Sequence, residues 1–148
     1  MKNSVSSDLL AKKFILLARL MEVSRDNPFK IRTYRFASSV IGNKKSELTR
    51  NNIAALSDIK GIGDAVVRKS IEFLETGSMK KIEEIKDGIP LTILKLVIET
   101  NIPSSIIAAI WKDYMILTKD EIIEFLAEHK EQLKLSQKQV LDAEKALN

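Results

Sequence analysis

Apolar residues return every three or four positions along almost the whole chain, and no stretch sustains the every-second-residue alternation of a half-buried strand. That spacing predicts an all-α protein: helices joined by short turns. Ser6 or Ser7 is placed to cap a first helix whose inward stripe runs Leu10, Phe14, Leu17, Met21. Asn27-Pro28 opens a second helix, PFKIRTYRFASSVI, because proline's fixed φ suits the first helical turn. Gly42 and the polar run NKKSELTRNN then form a basic connection, with Asn51 or Asn52 capping the short helix IAALSD. In KGIGD, Gly61 and Gly63 are free to take positive φ or to let backbone approach a partner, while Ile62 points into a core. Gly63 or Asp64 starts the next helix, with Val67, Ile71 and Leu74 on one stripe and Gly77 as its C-terminal cap. After MKKIEEIK and the break at GIP come the helix LTILKLVIE, the turn TNIPSS and a buried helix SSIIAAIWKDYMIL. Thr118 and Glu121 form a capping box for DEIIEFLAEHK, and Ser136 opens QKQVLDAEKAL.

Helix, turn, helix therefore occurs twice, around residues 53–76 and 91–114, and LSDIKGIGDAVV lies against KLVIETNIPSSII as a degenerate internal repeat. The expected organisation is one domain over residues 1–86, holding the hairpin at 53–76, and a second over 87–148 with the decayed copy and the C-terminal helices. With 148 residues, 45% of them hydrophobic, the chain is long enough to bury a core. Its longest apolar runs, such as FILLARLM, stop short of the ~20 residues a membrane span needs. No secretory signal is read in MKNSVSSD, so a cytoplasmic location is expected. The absence of cysteine and the single histidine, His129, exclude thiolate or histidine-pair metal sites and a catalytic triad. His129 reads as a surface residue near a helix end, and Trp111 and Tyr114 read as core because they share helical spacing with Ile107 and Ile110.

Charge is unevenly spread. Residues 1–86 carry 17 Lys and Arg against 10 Asp and Glu, whereas residues 87–148 carry 7 against 10. All six arginines (Arg19, Arg25, Arg32, Arg35, Arg50, Arg68) belong to the first part. Arginine forks match phosphate oxygens, and neutralising phosphates releases condensed counterions, so a basic half points to a polyanion.

The short helix, the Gly-Ile-Gly turn and the following helix, LSDIKGIGDAVV at 56–67, resemble the helix-hairpin-helix motif, which implies DNA binding without sequence preference. The physics agrees, since glycines let N–H groups at a helix N-terminus approach a phosphate where the helix dipole favours an anion. Ile62 would anchor the turn, and Lys60 and Arg68 would add charge. Read together, NPFKIRTYRFASSVI at 27–41 and IKGIGDAVVRKSIEFLETGSMKKIEEI at 59–85 resemble the N-terminal domain of family X DNA polymerases, the group of DNA polymerase beta, with the bacterial members closer. The likeness covers residues 9–86 and fades toward about residue 130. It implies a compact helical domain with two helix-hairpin-helix units, a role in DNA repair on gapped or 5′-phosphorylated duplex, and association with the nucleoid. Contacts would come from Lys60, Gly61, Ile62, Gly63, Arg68, Arg32 and Arg35. The second hairpin has Asn101 and Pro103 in place of the two glycines, and a proline removes a backbone donor, so it is expected to keep its packing and lose DNA contact. The resemblance also implies a monovalent cation, Na⁺ or K⁺, on the backbone carbonyls of Ser57, Ile59 and Ile62, and no other cofactor.

Several members of that family remove a 5′-deoxyribose phosphate through a lysine Schiff base. The matching lysine is Lys69, with Lys30 and Tyr34 in the positions of the family's phosphate-binding lysine and pocket tyrosine. The helix N-terminus and Arg68 would both favour the free amine. The family's supporting lysine one turn earlier is Ala65 here. Polymerase activity would need a separate carboxylate and two-metal domain, for which 148 residues leave no room; the chain is either stand-alone or a piece of something longer. Three readings stay open: a DNA-binding module, a lyase acting through Lys69, or a protein-interaction module docking a partner through its C-terminal half, whose acidic helix over 120–131 is otherwise a solvated face.

Overall fold

Capping side chains set where the helices begin. In the structure, a computed structural model describing residues 3–148, Ser4–Ser6 forms β1 and Ser7–Val23 forms α1, with the Ser6 hydroxyl accepting from the Leu9 N–H. Asn27 Oδ1 accepts from the Phe29 N–H at 2.9 Å and opens α2, Pro28–Gly42. Glu47–Thr49 is β2, and Arg50–Ala55 is α3, continued by a 3₁₀ turn at Leu56–Asp58. The remaining helices are α4 (Asp64–Thr76), α5 (Lys80–Asp87), α6 (Leu91–Glu99), α7 (Ser104–Ala108), α8 (Lys119–Glu128) and α9 (Gln137–Ala146). The fold is all-α.

Four details differ from the sequence-based expectation. β1 and β2 pair antiparallel with Val5 opposite Leu48, although each strand has only three residues and so shows no alternation to read. The cap of α3 is Thr49 rather than Asn51 or Asn52: its hydroxyl accepts from the Asn52 N–H while Asn52 Oδ1 accepts from the Thr49 N–H at 3.0 Å. In α4 the buried face is Val66, Ser70, Phe73 and Leu74, while Val67 and Ile71 are half-buried. An apolar pattern passes over Ser70, whose hydroxyl satisfies itself on the Val66 carbonyl at 2.7 Å. Finally, α7 is followed by a π-helical turn over Ala109–Asp113. The wider turn rotates the later residues off the 3.6-residue register, so Tyr114 is 59% exposed rather than core, tilted against Phe125 at 4.9 Å.

The residues group into two compact units, each described by itself. The first comprises the chain up to Ala18 with Asn27–Glu84. Its core holds Leu10, Phe14, Leu17, Tyr34, Ile41, Ile53, Val66 and Phe73, with the Phe14 and Tyr34 rings stacked at 5.8 Å. The buried Ser38 hydroxyl donates to the Ala11 carbonyl at 2.8 Å, tying α2 to α1.

The second unit comprises Arg19–Asp26 and Ile85–Asn148. Leu20, Met21, Ile93, Leu96, Ile102, Ile107, Ile122 and Leu126 are buried there. The Arg25 guanidinium grips Asp113 through two hydrogen bonds of 2.7 and 2.6 Å, which hold the Asp113 carboxyl below its ordinary value and raise that of Arg25. No helix among the described residues is long and apolar enough to cross a membrane.

Candidate nucleic-acid interface

The first hairpin is assembled from short-range bonds. After the 3₁₀ turn, the Ile59 N–H donates to the Leu56 carbonyl and the Ile62 N–H to the Ile59 carbonyl, both at 3.0 Å. Closing so tight a loop requires a left-handed residue, and Gly61 supplies it with φ +97°. Ile62 then turns inward and is 6% exposed.

Gly63 does not take positive φ, so of the two roles open to these glycines only backbone approach to a partner is left to it. Its φ of −105° and ψ of −176° suit any residue, and a Cβ built there would meet nothing within 4 Å. The fold itself does not call for glycine at this point. Gly63 is the N-cap of α4 and brings no side-chain acceptor to it, so the start of a 13-residue helix offers its backbone donors to an outside acceptor without a side chain in the way.

Helix α2 stands beside this turn. A Cβ at Gly61 would lie 2.9 Å from Cε2 of Phe36, and a shallow groove is lined by Phe29, Arg32, Thr33, Phe36 and Gly61. Phe29 is 72% exposed, and the Arg32 guanidinium lies 4.7 Å from its ring centroid. Thus Arg32 is brought to the glycine turn, while Lys30 is exposed on the same helix and Arg35 is half-buried. Lys60 and Arg68 are exposed on either side of the turn itself. Tyr34 is 6% exposed, its ring stacked on Phe14, and Lys69 Nζ lies 5.7 Å from the centroid of that ring. The carbonyls of Ser57, Ile59 and Ile62 flank the loop, and that of Ile59 already accepts the turn's own N–H.

Two residues of this surface escape a search for glycines and charges: Phe29 and Phe36. Their signal is present in PFKIRTYRF, where aromatic and basic residues interleave.

A short helix, a left-handed glycine turn and an uncapped helix start define a hairpin that presents backbone donors. Residues 6–79, half of the chain, match the family model of the helix-hairpin-helix domain, and the chain belongs to that family. Domains of this family typically bind DNA. The match takes in the first hairpin and ends before α6. No curated protein matches the chain.

Proposed function

We propose that the first hairpin binds DNA through its phosphates, without sequence preference. The observation that carries this reading is Gly63, a glycine that the protein's own backbone does not need, at the uncapped start of α4. A phosphate there accepts from backbone N–H groups and meets the positive end of the helix dipole. Ile62 anchors the turn, and Gly61 lets it close. Lys60 and Arg68 draw in the backbone from the turn, and Lys30, Arg32 and Arg35 do so from α2.

Exposed Phe29 supports a finer choice of target. Its face suits an unpaired base, since stacking is indifferent to base identity and contributes about 1–3 kcal/mol per base. Gapped or 5′-phosphorylated duplex offers both an unstacked base and a backbone end, which connects the protein with DNA repair and the nucleoid, in keeping with the likeness to family X polymerase N-terminal domains. The carbonyl oxygens of Ser57, Ile59 and Ile62 are of the donor type that suits Na⁺ or K⁺. Bound there, such an ion would offset phosphate charge.

Fluorescence anisotropy with gapped and intact duplexes tests the proposal. The double variant Arg32→Ala, Arg68→Ala is expected to lose about tenfold or more in affinity at low salt, and Phe29→Ala to lose more on gapped than on intact duplex. No binding by the unaltered protein to either duplex at low salt overturns it.

The Lys69 amine beside the Tyr34 ring favours a second reading, a deoxyribose-phosphate lyase. The amine adds to C1′ of an incised abasic sugar and water leaves to give an imine; loss of a C2′ proton then breaks the C3′–O bond and releases the DNA 5′-phosphate. Borohydride trapping decides it: an adduct with the unaltered protein and none with Lys69→Ala is expected, and no adduct with either sinks the lyase.

A further inference from the structure

The second hairpin contains its own cation. Arg19, in the last turns of α1, donates Nε to the Val97 carbonyl at 3.3 Å and Nη2 to the same oxygen at 3.1 Å. Nη2 also reaches the Thr100 carbonyl at 3.1 Å, and Nη1 reaches the Ile102 carbonyl at 2.9 Å. Val97 lies near the end of α6, and Thr100 and Ile102 lie in the loop that joins α6 to α7. Three carbonyls from six consecutive residues therefore converge on one guanidinium.

Carbonyls at the end of a helix lack intrahelical N–H partners and carry the negative end of its dipole. When a loop folds back so that its own carbonyls join them, the oxygens repel one another, and a positive group among them relieves this. A guanidinium does so with five donors in a fixed plane, enough to serve three oxygens from one side chain. The surroundings are built for it: Ile102 in this loop is fully buried, and Ser104, at the start of α7, donates to Glu22 Oε1 at 2.5 Å. Arg19 and Glu22, three residues apart on one helix, thus hold the carbonyl side and the far side of the same loop.

The repeat gives the arrangement its meaning. Ile62 and Ile102 are the buried anchors of the two turns, and with these superposed in sequence, Val97 corresponds to Ser57 and Pro103 to Gly63. The second turn has a proline where the first has the glycine of its helix start, and an arginine lies against its carbonyls. We propose that Arg19 is a built-in cation: its guanidinium takes the place that a monovalent ion would fill among the carbonyls of Val97, Thr100 and Ile102. The second hairpin then binds no ion of its own, and its shape is independent of which salt is present.

This inference does not depend on DNA binding by the first hairpin. Thermal melts of Arg19→Met and Arg19→Lys in potassium chloride and in tetramethylammonium chloride of equal ionic strength test it. Arg19→Met is expected to melt roughly 10 °C lower in the tetramethylammonium salt and to recover part of the loss in potassium chloride, a gain exceeding that of the unaltered protein. Arg19→Lys, which keeps a cation in place, is expected to show no such extra gain. Equal melting of Arg19→Met in the two salts overturns the proposal. A titration of the unaltered protein with thallium(I), followed by the amide resonances of Thr100, Asn101, Ile102 and Ser104, applies even if Arg19→Met does not fold: no saturable shift is expected, and a saturable shift there overturns the proposal, whereas shifts confined to residues 57–63 concern the first hairpin alone.

Discussion

Gly61 and Gly63 look alike in the sequence and are glycine for different reasons. Gly61 has φ +97° and sits against the Phe36 ring, so Gly61→Ala is expected to cost about 1–2 kcal/mol in urea unfolding. Gly63 has an ordinary φ and open space where a Cβ would go, so Gly63→Ala is expected to leave stability within about 0.5 kcal/mol. If the phosphate approaches this amide as proposed, the same methyl weakens DNA affinity by roughly tenfold, or about 1.4 kcal/mol. Stability and affinity measured on the two variants separate a glycine kept for the turn from one kept for a ligand. The sequence marked both positions but could not divide these roles, because backbone angles depend on where Ile59 and Ile62 bond. Lys69 illustrates the same limit. Its place on an amphipathic helix was readable and the resemblance set it with Tyr34, whereas the 5.7 Å between its amine and that ring is fixed only by the fold.

At the scale of elements, helix starts were legible wherever the capping side chain stands directly before the helix. Asn27, Thr118 and Ser136 all accept from backbone N–H groups as their positions suggested. Thr49 was less legible, since it ends a strand and begins a helix at once, and the asparagines after it are themselves common caps. Its capping box predicts that Thr49→Ala lowers stability by about 1 kcal/mol, measurable by thermal or urea unfolding. The exposed residues after the π-helical turn were misjudged because a single wide turn shifts every later residue around the helix. In the second unit, the Arg25–Asp113 pair gives a pH signature. The Asp113 carboxyl is held below its ordinary value by the Arg25 hydrogen bond, so its contribution is present above the ordinary aspartate value and is lost as pH falls through the depressed one. Arg25, raised further above an already high value, stays charged throughout. The stability difference between the unaltered protein and Asp113→Asn is therefore expected to be flat around neutrality and to shrink on acidification, as read from unfolding curves across pH.

For the whole molecule, the basic balance of residues 1–86 against the acidic balance of 87–148 is what the proposal of DNA binding through the first hairpin alone would require. Log affinity for duplex is expected to fall linearly with log salt, and Arg68→Ala to reduce the slope by about 1, since each neutralised duplex phosphate contributes about 0.9. An unchanged slope would remove Arg68 from the interface. Helical spacing, caps and the glycine turn determined by themselves that this chain is all-α and that it carries a helix-hairpin-helix, because those signals are local: each depends on residues within one or two turns of one another. The tertiary structure alone decided the pairing of Val5 with Leu48, the meeting of Phe36 with Gly61 and the gathering of three carbonyls around Arg19. These are contacts between residues far apart in the chain, and they depend on how helices pack, which no local spacing encodes.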